Sequence, residues 1–202
     1  MMEIAMEITE SLKAEHRVIE KYLVGLDNLG EALLRGEDVP ISLIKETTLL
    51  IREFAHRYHQ AKEESLLFPF IDKNLGENLR NSLQKLMDEH GEGRAHIRSL
   101  LRYVEKLEKD ELEGDNRQAT CKQLITTARS CSSSLRRHIL REDRNLFPGV
   151  EKKLTENQKR WLWGKLEEFE DERHGQPDLD YFEQQARQLM IRVSDVVNRV
   201  RV

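Results

Sequence analysis

The chain has 202 residues, 35% charged and 38% hydrophobic, with only 10 Gly and 4 Pro, which suits one domain with a real core plus an appendage and favours long solvent-washed helices over sheet. Its formal charge of −4, from 33 basic and 37 acidic residues with no dense basic run, argues against nucleic acid as a partner. The opening residues, Met1 to Glu7, have neither the basic lead nor the unbroken apolar run of a signal peptide, and no stretch approaches the ~20 apolar residues of a membrane span, so a cytoplasmic protein without membrane partners is expected.

The first predicted helix runs from about Thr9, a candidate N-cap, to Leu34, with Gly36 just beyond it. Its apolar stripe, Leu12, His16, Ile19, Leu23, Leu26, Gly30 and Leu33, has three-four spacing and sets a histidine among aliphatics. After Val39-Pro40, Ser42 is placed to cap a second helix with inward face Ile44, Thr48, Ile51, Ala55, His59, Glu63 or Lys62, Leu66 and Phe70, ended by Gly76. A third helix, from about Leu79 to Leu112, carries Leu83, Leu86, His90, Gly93, Ile97, Leu100, Val104 and Leu107 on one seam. Gly91 and Gly93 each cost the helix about 0.8–1.0 kcal/mol relative to alanine, so space beside His90 is wanted, for tight packing or for access of a small ligand.

Residues 113–116 read as a loop, and a fourth helix follows with Cys121, Leu124, Ala128, Cys131, Leu135, His138 and Glu142 inward. Ten residues of helix separate the two cysteines by about 15 Å, too far to bridge, so they read as buried thiols in a reducing compartment. Short connections make successive helices antiparallel. The expected fold is therefore all-α, an up-down-up-down four-helix bundle over residues 1–150. Beyond Pro148, Thr155 and Gln158 have capping-box spacing and open a helix with Trp161, Leu162, Leu166 and Phe169, stopped by Gly175 and Pro177. A last helix has the stripe Leu179, Phe182, Ala186, Leu189, Val193, Val196 and Val200. Residues 151–202 thus form a two-helix extension whose stripe must be covered, by its own bundle or by a second subunit in a homodimer.

The chain also repeats itself. His59-Gln60-Ala61-Lys62-Glu63, followed by Leu67-Phe68-Pro69, returns as His138-Ile139-Leu140-Arg141-Glu142, followed by Leu146-Phe147-Pro148, and Glu15-His16 upstream of the first copy returns as Glu89-His90 upstream of the second. A His and a Glu four apart lie one turn apart on one helix face. Ionised carboxylates inside a bundle cost several kcal/mol each unless paired or bound to a cation. Imidazole with carboxylate suits Fe, Mn or Zn, and the absence of Cys from the set argues against a closed structural zinc site. Four imidazoles and two glutamates able to bridge fit two octahedral ions better than one, with about two to four positions left for oxygen species, solvent or substrate.

On His16, His59-x3-Glu63, His90 and His138-x3-Glu142, with Leu-Phe-Pro after each Glu, the chain resembles the hemerythrin-like, or HHE cation-binding, domain over roughly residues 9 to 150. The resemblance implies a bundle enclosing a non-haem di-iron centre, two Fe ions joined by an oxo or hydroxo bridge. His16 and His59 would be terminal nitrogen ligands with His90 and His138 their counterparts, and Glu63 and Glu142 would bridge. Oxygen carriers of the family take two histidines at four-residue spacing from the third helix, but here Arg94 follows His90, which argues against reversible oxygen carriage. The carriers also take an Asp five residues after the last His. Asp143 meets that spacing and is the alternative to Glu142, which the internal repeat pairs with Glu63. The four-His, two-Glu set is more similar to members associated with nitric oxide or peroxide handling, iron sensing and repair of iron–sulfur clusters, though the repair proteins usually add an N-terminal cysteine-bearing domain for which this chain has no room.

The functional expectation is a protein that binds or senses O2, NO or peroxide without turnover. The alternative is an enzyme that reduces peroxide or nitric oxide or delivers iron to damaged clusters, and a structural metal protein is a third. His56, one turn before His59, is a boundary residue, a partner of a ligand or an alternative ligand. His96 is expected in solvent and His174 at a helix C-terminus. Glu15 and Glu89 are either proton relays or flanking residues, with flanking the preferred reading.

Overall fold

The computed structural model describes residues 8–75, 79–109, 114–173 and 175–198, with Ile8 described in its backbone only. Six helices occur among the described residues, and no strand: α1 Ile8–Leu34, α2 residues 41–75, α3 Arg80–Glu108, α4 residues 114–153, α5 Glu156–Glu172 and α6 Leu179–Asn198. Helices α1 to α4 form the bundle, α1 packing on α2 and α4, and α3 on the same two. No helix among the described residues is long and apolar enough to cross a membrane.

Several helix ends differ from the sequence expectation. Thr9 lies inside α1, and its N–H and hydroxyl both donate to Glu151 Oε1 of α4, at 3.1 and 3.2 Å. A distant carboxylate thus satisfies a first-turn donor that a local cap was expected to serve. Ser42 is likewise internal, because Pro40 precedes the first residue of α2 without a side-chain cap. Helix α4 begins at Gly114, whose φ of 51° only glycine adopts without strain, so residues 114–116 are helical rather than loop. The capping box at Thr155 and Gln158 forms as expected. Gly76, Leu112, Glu113, His174 and Val200 lie outside the described residues.

The periodicity of α2 breaks where α-helix gives way to π-helix, at Arg52–His59 and again at Glu63–Leu67, and the same widening recurs in α4 at Glu142–Leu146. The Phe68 N–H bonds the Glu63 carbonyl five residues back, and Phe147 does the same to Glu142. Each wide turn adds a residue, so the buried face after Glu63 is Leu67, Phe68 and Ile71 rather than Leu66 and Phe70. Such turns concentrate at functional sites because they re-aim side chains without ending the helix.

Two apolar clusters fill the interior. One gathers Ile19, Leu23, Leu26, Ile51, Ile97, Leu100, Leu124 and Ala128; the other gathers Leu12, Leu67, Phe68, Leu83, Leu86, Leu146 and Phe147. His16 lies between Leu12 and Ile19 on α1, and His90 between Leu86 and Ile97 on α3, so the histidines form a polar layer between the clusters.

The extension contributes to both. Leu162 and Leu166 of α5 join the second cluster, while Phe182, Ala186, Leu189, Val193 and Val196 of α6 join the first. The stripe of α6 is therefore covered within its own chain, against a second face of α1 formed by Val18, Tyr22, Leu29 and Ala32, for which the single stripe read from the sequence made no provision. Tyr22 donates to the Phe182 carbonyl at 2.6 Å. Gly25 admits α6, since a Cβ there would meet Leu189 Cδ2 at 3.2 Å. Full burial of each Leu or Phe in this contact is worth about 1.5–3 kcal/mol.

Candidate metal centre

Each bundle helix brings its share of the polar layer to one place: His16 from α1, His59 and Glu63 from α2, His90 from α3, His138 and Glu142 from α4, each at most 2% exposed. Their donor atoms form two groups, His16, His59, Glu63 and Glu142 in one and Glu63, His90, His138 and Glu142 in the other, with all atoms of a group within 4.8 Å of one another. Both glutamates belong to both groups. In each group the two imidazoles meet Nε2 to Nε2 at 3.0 Å. Glu142 Oε2 lies 3.2 Å from both His16 Nε2 and His138 Nε2. Glu63 Oε2 lies 3.5 Å from His59 Nε2 and 3.4 Å from His90 Nε2. Each glutamate thus spans one histidine of either pair.

The outer edges of the rings explain why Nε2 points inward. Nδ1–H of His16 donates to Asp143 at 2.8 Å, that of His59 to Glu15 at 2.8 Å, that of His90 to Glu64 at 2.7 Å and that of His138 to Glu89 at 3.2 Å. A carboxylate on Nδ1 selects the tautomer with a bare Nε2 and fixes the ring plane. Packing fixes it further: Phe147 stacks on His16 at 5.6 Å between ring centroids, and Phe68 on His90 at 5.7 Å. The phenylalanine of each Leu-Phe-Pro segment is therefore the wall behind the first histidine of the other half.

The residues fit a cation. All four carboxylate oxygens of Glu63 and Glu142 are buried without a hydrogen-bond donor, which costs about 1–3 kcal/mol or more for each group in the absence of a positive partner. In protein without a metal that partner would be protons on the imidazoles. Burial disfavours charged imidazolium, yet Asp143 and Glu142 push His16 up to about 9, and Glu142 and Glu89 push His138 up to about 10. Burial also opposes a charged Glu142, which His138 and His16 nevertheless hold well below the usual carboxylate range. With a proton on one nitrogen of each pair the 3.0 Å Nε2–Nε2 approach is a hydrogen bond, and a metal ion would take the place of that proton.

The structure separates the residues that the sequence left open. Glu142 is in the centre, while Asp143 orients His16 from outside. Glu15 and Glu89 are orienting partners of His59 and His138, not flanking residues. Glu64 was missed altogether, although its place beside Glu63, matched by Asp143 beside Glu142, was visible in the repeat. The hydrogen bond from His90 holds Glu64 down at about 2 against the effect of burial, and Arg94 donates to it at 2.7 Å. Arg94 therefore supports the partner of a histidine where the oxygen carriers have a ligand.

His56 belongs to neither group. Its Nδ1–H donates to Gln60 Oε1 at 2.7 Å, its Nε2 is buried without a partner, and burial pushes its pKa down to about 4. The ring occupies the notch left by Gly93, where a Cβ would meet its Cε1 at 3.1 Å. The space wanted beside His90 is thus taken by packing, and Gly91 is exposed. His96 is half-buried rather than in solvent and joins neither group. Cys131 is a buried free thiol as expected, whereas Cys121 is half-buried, and neither belongs to a donor group.

No curated protein matches the chain. The family model of the hemerythrin HHE cation-binding domain matches residues 7–150, the span that supplies every donor of the two groups. With that match over most of its length, an all-α bundle and a buried His–Glu cluster on four helices, the chain belongs to the hemerythrin HHE cation-binding domain family.

Proposed function

We propose that the chain is a non-haem di-iron protein that binds or senses a small oxidant or gas, O2, NO or peroxide, with His16 and His59 on one iron, His90 and His138 on the other, and Glu63 and Glu142 shared. The observation that carries this reading is the sharing itself: two four-residue donor groups with both glutamates in common. Two nitrogens about 2.1 Å from one ion are about 3.0 Å apart at a right angle and about 3.4 Å apart at the tetrahedral angle. Both Nε2 pairs measure 3.0 Å, which supports octahedral iron or manganese over tetrahedral zinc. Family membership favours iron of the two.

Iron supplies ligand binding at its open positions and one-electron chemistry. The chain's own residues orient the imidazoles through Asp143, Glu15, Glu64 and Glu89, neutralise the metal charge through Glu63 and Glu142, and keep bulk water out with the apolar clusters on either side. With two nitrogens and two carboxylate oxygens, each ion would keep about two positions for a small ligand. Arg94 on Glu64, in place of a fifth histidine, supports that openness.

The test is elemental analysis of protein expressed in iron-replete medium, with visible spectra before and after air, nitric oxide and hydrogen peroxide. Two irons per chain and a stoichiometric spectral change support a binder or sensor. Sustained consumption of peroxide or nitric oxide with a reductant present would replace that reading by an enzymatic one. One zinc, or no metal, would overturn both.

A further inference from the structure

The two halves of the centre are alike out to the carboxylates on Nδ1 and then diverge. Lys62 follows His59 by three residues as Arg141 follows His138, and each cation holds the carboxylate that orients its histidine, Lys62 on Glu15 at 2.5 Å and Arg141 on Glu89. Arg141 then faces solvent, its side chain 34% exposed, whereas Lys62 is 4% exposed. What covers Lys62 is α5. Glu170 Oε1 accepts a second bond from Lys62 at 2.6 Å, and Tyr58 donates its hydroxyl to both Glu170 oxygens at 2.9 and 2.8 Å. The ammonium also sits 3.9 Å above the Tyr58 ring. Glu170 lies outside the matched span of residues 7–150, so this contact ties the matched domain to a helix beyond it.

We propose that helix α5 is a working part of the metal centre, with Glu170 acting through Lys62 and Glu15 as the positioning residue for His59, so that the extension sets the strength of the His16–His59 metal position and leaves its twin alone. The inference rests on the two-metal reading. A buried lysine stays charged and in place only when it is paired, and Lys62 is balanced between two carboxylates. Without Glu170 it would have Glu15 alone, beside a cavity of about 350 Å³ that Glu15, Tyr58, Lys62, Trp163 and Glu170 already line. A lysine so placed extends its head group to water. Glu15 would follow the ammonium, and the His59 ring would lose the hydrogen bond that fixes its plane. Loss of such an outer partner lowers metal affinity about tenfold to a hundredfold. Among the described residues no comparable route leads from α5 or α6 to Glu89, whose cation is partly exposed.

The test is an anaerobic titration of chelator-stripped full-length protein with ferrous iron, followed by Mössbauer spectra of the loaded protein. The wild type should take two irons. Glu170→Ala should bind one iron as the wild type does and the other about tenfold or more weakly, with one iron signal altered and the other unchanged. Lys62→Met, which keeps the apolar stem, should do the same even if Glu170→Ala folds poorly, and Glu170→Asp should restore part of the loss. Arg141→Ala should leave the position affected by Glu170 untouched. Loss of both irons together, or wild-type affinity at both, in the Glu170 and Lys62 variants would overturn the proposal while leaving the di-iron reading intact. A wild type that takes no pair of irons would overturn that reading and the proposal with it.

Discussion

Asp143 and His16 stand 127 positions apart, and the Asp143 carboxylate accepts the Nδ1–H of His16 at 2.8 Å. Glu64 does the same for His90 at 2.7 Å. In each half the residue after the central glutamate therefore orients the first histidine of the other half, so the halves interlock and neither could present a finished set of ligands alone. Asp143→Asn keeps the shape and removes the charge. It should lower metal affinity by about tenfold to a hundredfold, read by chelator competition, with helix content unchanged because Asp143 is on the rim. Unchanged affinity would mean that the carboxylate does not hold the ring.

The metal-free protein should lose stability as pH rises. His16 and His138 are pushed from 6.5 up to about 9 and about 10, against burial, by Asp143, Glu142 and Glu89. A histidine raised in this way contributes its stabilisation fully below about 6.5, its unfolded value, and loses it as pH climbs through the folded value. The thermal midpoint of chelator-stripped protein should thus fall between pH 7 and 10. The metal-loaded protein should not share that fall, and iron uptake at pH 7 should release protons into a weak buffer. Proton-neutral uptake would contradict imidazolium in the stripped protein.

Gly93→Ala should destabilise the fold slightly despite the better helix former. Alanine gains about 0.8–1.0 kcal/mol of propensity, but its methyl would stand 3.1 Å from His56 Cε1, a ring pinned by Gln60. Overpacking of this kind costs about 1–3 kcal/mol. The urea midpoint should drop by the equivalent of about 1 kcal/mol; a rise would show that His56 yields freely.

Phe182→Ala tests how firmly α6 is held. Phe182 is 3% exposed and packs on Phe54 at 4.6 Å and Tyr58 at 5.7 Å between ring centroids. Truncation should cost about 3–5 kcal/mol, measured by chemical denaturation of the full chain. A loss below 1 kcal/mol would mean that α6 contributes little to the core.

Much of this was written in local spacing. The seam of α3 from Leu83 to Leu107 is buried as the three-four pattern requires, and the His–Glu pairs four apart announced their shared face, because a helix turns neighbours in space into neighbours at fixed intervals in sequence. Although the choice of Glu142 over Asp143 needed the fold, the all-α class, the four inward histidines and Glu63 follow from that spacing alone. The π turns after Glu63 and Glu142 did not, since they depend on which carbonyl a backbone N–H finds and not on side-chain period. Nor did the second buried face of α1, which exists only because α6 lies on it, the orienting bonds that Asp143 and Glu64 make across the halves, or the reach of Glu170 to Lys62. The sequence by itself determined most of the inward stripes and that histidine and glutamate, residues able to hold a metal, stand in them. Tertiary structure alone decided what stands behind each ligand, because hydrogen bonds between distant segments leave no periodic trace in the chain.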